Sequence, residues 1–283
     1  MIPSSSRVAP MPPSPPPARL SPDFTRDREP LPMSRVLRAY LLEAKLETLG
    51  ALRTAGFALP FIAAPVAIYL FFGVLIVGNA GAKGGYGPGV ANYLFAGFAV
   101  MAAAMPGIFT GAILATERDG NLLKLKRAMP LPPGATIVAK VLMSMGVAAL
   151  SVTILVVSAL VAGKITLSIG QVAIVWAVLV VGTIPFCSIG LLIGALASGS
   201  AAPAWGHLVF LPMMYLSGLF LPLPAGLKRW VVLWPTFHLD QLALGLAGVD
   251  EFTFLPPAMA GAVLVGVTVL CGGLAIRRLA RVG

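Results

Sequence analysis

The chain has 283 residues, of which 58% are hydrophobic and 11% charged, with a mean hydropathy of +0.93. A soluble domain carries about a quarter charged residues, so the composition excludes an ordinary soluble globule. The net charge of +10 raises nucleic acid as a partner, but no nucleic-acid motif and no basic-aromatic stripe is present, and the basic residues flank apolar runs as membrane orientation requires.

Residues 1–33 hold ten of the 25 prolines and several serines. That composition cannot pack and predicts a disordered tail, with no apolar core of signal-peptide type. Residues 34–283 read as one membrane domain. The first element, 34–53, reads as an amphipathic helix. At 100° per residue Leu37, Leu41 and Leu52 fall on one flank and Leu42, Leu46 and Leu49 on the other. Arg38 and Lys45 lie between them, while Glu43 and Glu47 share the opposite edge. The pattern predicts a helix at a membrane surface, with basic groups among lipid heads and acids toward water.

A transmembrane helix needs about 20 apolar residues. Six segments qualify, at 54–78, 90–115, 138–163, 169–196, 202–221 and 255–276. Residues 165–227 contain no Asp, Glu, Lys or Arg over 63 positions, too long for one span, and "ASGSAAPA" near 197–204 supplies a turn. Gly107-x-x-x-Gly111 and Gly190-x-x-x-Gly194 permit close helix contact and are weak dimer signals. Cys187 and Cys271 lie in apolar runs and read as small hydrophobic filler, with no disulfide framework and no metal spacing.

Charge gathers between the second and third spans, in "ATERDGNLLKLKRAMPLPPGATIVAK", residues 115–140, which holds five of the twenty basic residues. Asp119, Gly120 and Asn121 offer helix N-cap residues. Leu122, Leu125 and Met129 then share one face, with Lys124 and Arg127 on the other. Pro130, Pro132 and Pro133 stop the helix. A short helix with an apolar stripe needs a partner to cover it, and either lipid or a soluble protein can serve. Six spans place both termini, this loop and loop 4–5 on one side, which carries twelve Lys and Arg against four on the other. That side is therefore predicted to be cytoplasmic.

After the fifth span comes "SGLFLPLPAGLKRWVVLWPTFHLDQLALG", residues 217–245. Trp230 and Trp234 are one turn apart and suit the headgroup level, and Pro222, Pro224 and Pro235 break any continuous span.

At these motifs the sequence resembles the ABC-2 type transporter permeases of bacteria and archaea, over roughly residues 34–281. The family's acid-x-acid-Gly run, short coupling helix, proline and Gly-Lys opening of span three are matched by Glu117, Asp119, Gly120, Leu122, Leu125, Pro130 and Lys140. Asn121 stands where Thr is usual, and Ala139 where Gly is usual. Gly218 lies in a run similar to the family's Ser-Gly-x-x-x-Pro segment, which leads into an extracellular re-entrant segment; Pro222, Trp230, Trp234 and Pro235 follow. The resemblance implies an all-α membrane protein: six transmembrane helices, the N-terminal interface helix, a cytoplasmic coupling helix between spans two and three, and the re-entrant segment between spans five and six.

The resemblance implies the permease subunit of an ATP-driven exporter in the bacterial inner membrane, with both termini cytoplasmic. It implies two copies of a separate ABC ATPase subunit beneath two permease copies, a homodimer in the lipid bilayer. The phosphate-cradling G-x-x-x-x-G-K-[ST] pattern is absent, so ATP and Mg are expected on the ATPase, with no cofactor or metal in this chain and no catalytic residue. Span interiors free of Asp, Glu, Lys and Arg favour a lipophilic or amphipathic cargo, although sodium and polysaccharide exporters share the architecture. The alternative is an ion-coupled secondary transporter or channel, for which His207 is the titratable candidate. A membrane-embedded enzyme would need a nucleophile, metal cluster or paired acids at depth, and no such group is seen.

Overall fold

The computed structural model describes residues 32–78, 90–129, 132, 134–163, 165–220, 228–249 and 253–282. The tail before Pro32, and with it Pro130 and Pro222, lies outside the described residues. Among the described residues the chain is helical, with no strand.

Helix α1, Met33–Arg53, packs along α5, Ala135–Ala162, and buries only the small side chains Ala44 and Ala51 among its apolar residues. Leu37, Leu41, Leu42 and Leu46 are each more than half exposed, as lipid contact requires. The acids do not face water as the wheel predicted. Glu43 and Glu47 turn into the protein, because lysines from two other helices wait there.

Thr54 separates α1 from α2, Ala55–Tyr69, which carries Pro60 and Pro65 and widens into a π-helix over Leu70–Gly78. The Tyr69 ring lies across Gly73, where a Cβ would stand 2.7 Å from it. Helix α3, Val90–Asp119, is the central and most buried of the long helices. A short helix α4, Leu122–Ala128, joins it to α5.

The next apolar run bends once, at Gly182, into α6, Ile169–Val181, and α7, Thr183–Leu196. A Cβ on Gly182 would meet the Leu239 side chain at 2.2 Å. α6 opens with a reciprocal cap, Ser168 with Gln171.

α7 packs more extensively against α3 than against any other helix. The two small-residue motifs meet each other here, within one chain rather than between copies. A Cβ on Gly111 would stand 2.0 Å from the Gly190 carbonyl oxygen, and one on Gly194 2.4 Å from that of Gly111.

Among the described residues five stretches are long and apolar enough to cross a membrane: Ala55–Val77, Val90–Asp119, Ala135–Ala162, Ile169–Leu196 and Pro257–Arg281. The segment predicted as the fifth of six spans, 202–221, forms the 14-residue helix α8, Ala202–Tyr215. At about 1.5 Å per residue it is roughly 21 Å long, shorter than a bilayer core of about 30 Å. A turn through Gly218, in left-handed conformation (φ 75°), follows it.

Trp230 stands exposed on the 3-10 turn Lys228–Leu233. Trp234 then precedes α9, Pro235–Leu246, with Pro235 at its first position, where a missing N–H costs nothing. α9 is buried against α3, α6 and α10, Pro257–Val282. Its Thr236 hydroxyl donates to the Met213 carbonyl of α8.

Candidate functional site

The charged loop is built by the end of α3. Gly120 and Asn121 turn the chain, and Asn121 takes a left-handed backbone (φ 58°), which Asn tolerates better than most side chains. The expected N-cap bond does not form. Capping needs an extended residue whose oxygen folds over the next amides, and the left-handed turn denies that. Asp119 does not cap α4 either: its carboxylate accepts the Gly199 N–H at 2.6 Å.

α4 runs for two turns. Leu122 and Leu125, and Met129 just past the helix end in extended conformation, are 48%, 62% and 43% exposed, so the apolar stripe is open among the described residues. Leu123, which the sequence reading passed over, packs inward with Leu114, Cys187 and Leu191 and anchors the helix.

Lys126 ties α4 to α1. Its ammonium lies 3.0 Å from Glu43 and forms an ion pair with Glu47. Glu47 also reaches Lys140 of α5, 3.2 Å away, and Lys140 in turn holds both oxygens of Glu117 at 2.8 and 2.9 Å. One network therefore joins α1, α3, α4 and α5.

Lys140 is fully buried. Burial alone would push the Glu47 carboxyl up, but the charge of Lys140 and the hydrogen bond from Lys126 outweigh it and hold Glu47 below its ordinary 4.5. Burial would lower the Lys126 ammonium, and the bonds and charges of Glu47, Glu117 and Glu43 raise it instead.

A second tether runs from α3 to α7. The Arg118 guanidinium donates to the carbonyls of Gly194, Ala195 and Ala197 at 2.8–3.0 Å and pairs with Asp119 at 2.9 Å. Those carbonyls are the unpaired acceptors at the end of α7, where a cation is favoured by the helix dipole. Arg118 was read only as topology charge; its two acidic neighbours and the carbonyl-rich turn at 197–204 become a signal only once α3 and α7 are known to be adjacent.

Between α1 and the end of α3 lies a cleft of about 640 Å³, reaching from Leu122 and Lys126 at one end to Phe57 and Met143 at the other. Of the residues singled out on α1, Glu43 and Glu47 join this site. Arg38 and Lys45 stand exposed outside it.

The ABC-2 type transporter family matches residues 41–239, most of the chain. The chain belongs to that family. Nothing among curated proteins matches it. ABC-2 type proteins are the transmembrane component of their transporters and not the ATPase, and they generally work with ABC ATPase partners. The matched stretch begins within α1 and ends within α9, so it contains every residue of the ion network and of the Arg118 tether.

In this ABC-2 type membrane domain the far end of the bundle holds polar groups the sequence reading missed. Asn92 of α3 exchanges two hydrogen bonds with Thr166, at 2.7 and 3.0 Å. Asp240 is buried on α9, where the Gln241 amide donates to it at 3.3 Å. The His238 Nε2–H donates to the Val232 carbonyl at 2.8 Å.

The expectation that the span interiors are free of charge is therefore corrected by Lys140, and Asp240 adds a buried acid outside the predicted spans. Lys140 sits inside the third span where partners from other helices neutralise it, and Asp240 lies between the fifth and sixth predicted spans and is carried in by the fold of α9. His207 is exposed, held by the Pro203 carbonyl of its own helix and stacked edge-on against Phe109. Gly218, Trp230, Trp234 and Pro235 shape the approach to α9 and touch no part of the ion network.

Proposed function

We propose that the chain is the membrane subunit of an ATP-driven exporter, with the charged end of the bundle in the cytoplasm and α4 as its coupling helix. The observation that carries the reading is α4 itself: an exposed stripe of Leu122 and Leu125, continued by Met129 just past the helix end, on a two-turn helix that Lys126 and Leu123 fix to four other helices. An apolar helix face of this kind fills a groove in a soluble partner. The partner is an ABC ATPase subunit carrying ATP and Mg²⁺, two copies acting on two copies of this chain. Its movement passes through α4 to α1, α3 and α5 as rigid-body motion. The cargo is lipophilic or amphipathic.

The test is co-expression of the chain with its ABC ATPase subunit. Leu122→Asp with Leu125→Asp abolishes co-purification of the ATPase and ATP-driven transport, while membrane insertion stays intact. Unchanged co-purification rejects the docking role.

An ion-coupled carrier is the second reading, favoured by the buried Asp240, since ionisable groups within a membrane domain are costly and mark ion pathways. Uphill transport by the chain reconstituted alone, with only an ion gradient, would establish it and exclude the first.

A further inference from the structure

The cleft beside α1 has the volume and the charge of a ligand site. Small-molecule sites span roughly 300–1,000 Å³, and this one measures about 640 Å³. Its inner wall is apolar, with Leu46, Ala51 and Phe57 facing Ile113 and Met143. Its polar edge carries Glu43, Glu47 and Glu117.

Against these three carboxylates stand two ammonium groups, Lys126 at the edge and Lys140 behind it. One negative charge is left over. Glu117 Oε2 is buried and lacks an aligned donor, although the Lys140 ammonium lies 2.8 Å away.

The hydroxyls nearby supply no donor. Thr54 donates to the Gly50 carbonyl and Thr116 to that of Ala112, so both present only acceptor lone pairs. At Gly50 the wall borders open space, since a Cβ there would meet nothing within 4 Å. The cleft thus combines apolar depth, surplus acceptors and an excess carboxylate.

We propose that it binds an amphipathic cation, the apolar body against Leu46 and Ile113 and the positive centre against Glu43, Glu47 and Glu117. Resting on the transport reading, this is the station where cargo is gathered at the membrane surface before export. Occupancy presses on the same carboxylates that hold α4, so cargo and coupling helix share one charge network.

The probe pair is tetraphenylphosphonium and tetraphenylborate, equal in shape and opposite in charge. Binding is measured by equilibrium dialysis on the full chain in lipid nanodiscs, without ATPase or nucleotide, after subtraction of empty discs. The expected result is one saturable site with the cation at least about tenfold tighter than the anion, a factor worth about 1.4 kcal/mol.

Gly50→Leu fills the cleft and weakens cation binding at least about tenfold at an unchanged melting temperature, while Gly50→Ala retains it. Equal affinity for the two ions, or undiminished binding in a folded Gly50→Leu protein, overturns the proposal. Should Gly50→Leu melt early, the comparison of the two ions on the unaltered chain decides alone. Because the measurement needs no ATPase, its failure leaves the coupling reading standing, and failure of ATPase docking leaves the cleft standing.

Discussion

Replacing Lys140 with Met keeps the volume and removes the ammonium from the centre of the network. Lys140 is fully buried, with Glu47 at 3.2 Å and Glu117 at 2.8 Å. At an effective dielectric of about 20, a unit pair 2.8 Å apart attracts by about 6 kcal/mol, most of it offset by the desolvation of both groups. Removing one partner from a buried pair costs about 3–5 kcal/mol, because the other charge is left without compensation. Here two carboxylates are left. For a protein of this size that corresponds to a melting point lower by about 6–20 °C.

The assay is thermal unfolding in detergent of Lys140→Met, Glu117→Gln and the double variant. The two effects should be non-additive by about 1–3 kcal/mol, since the double variant removes one of the stranded charges. A Lys140→Met loss below about 1 kcal/mol, or additivity within about 0.5 kcal/mol, refutes the claim that this lysine is the hub joining α1, α3 and α5.

Gly111→Val puts branched carbon where a Cβ would already lie 2.0 Å from the Gly190 carbonyl oxygen; separation of α3 from α7 should cost about 1–3 kcal/mol or more, read as a lower melting point and lower folded yield. Asn121→Gly should leave stability unchanged or raised, and Asn121→Val should lower it by about 1–2 kcal/mol, because only the latter opposes the left-handed turn (φ 58°). Glu47 lies below its ordinary 4.5 when folded, so its contribution is whole above that value and disappears as pH falls through the folded one. Melting temperature should therefore drop below about pH 5, and Glu47→Gln should flatten that slope.

The long apolar runs and the charged loop were legible because hydropathy and charge are local properties. The direction of α1 was not. A wheel of residues 34–53 segregates Glu43 and Glu47 to one edge, and for an isolated helix that edge belongs in water. Lys126 and Lys140, 79 and 93 positions from Glu47, reverse the choice. The glycine spacings at 107–111 and 190–194 were read correctly as sites of close approach, but spacing names no partner, and the partner is the other motif.

The sequence placed a short helix near 121–129, where the structure has one over Leu122–Ala128 with Met129 extended beyond it, and misplaced the cap, since Asn121 can serve as a cap or as a left-handed hinge and only its neighbours decide. Asp240 escaped notice because a 12-residue helix following broken apolar sequence gives no sign of being carried into the bundle.

The seam between α3 and α7 has a mechanical corollary. Carbonyls of each helix sit where side chains of the other would normally stand, and the Arg118 guanidinium bolts the two ends together. Such a seam resists sliding, because any axial displacement drives backbone into backbone. On the coupling reading proposed above, a push delivered at α4 would be spent on tilting the joined pair as a single beam, and the bending would fall to elements whose contacts are side chain against side chain.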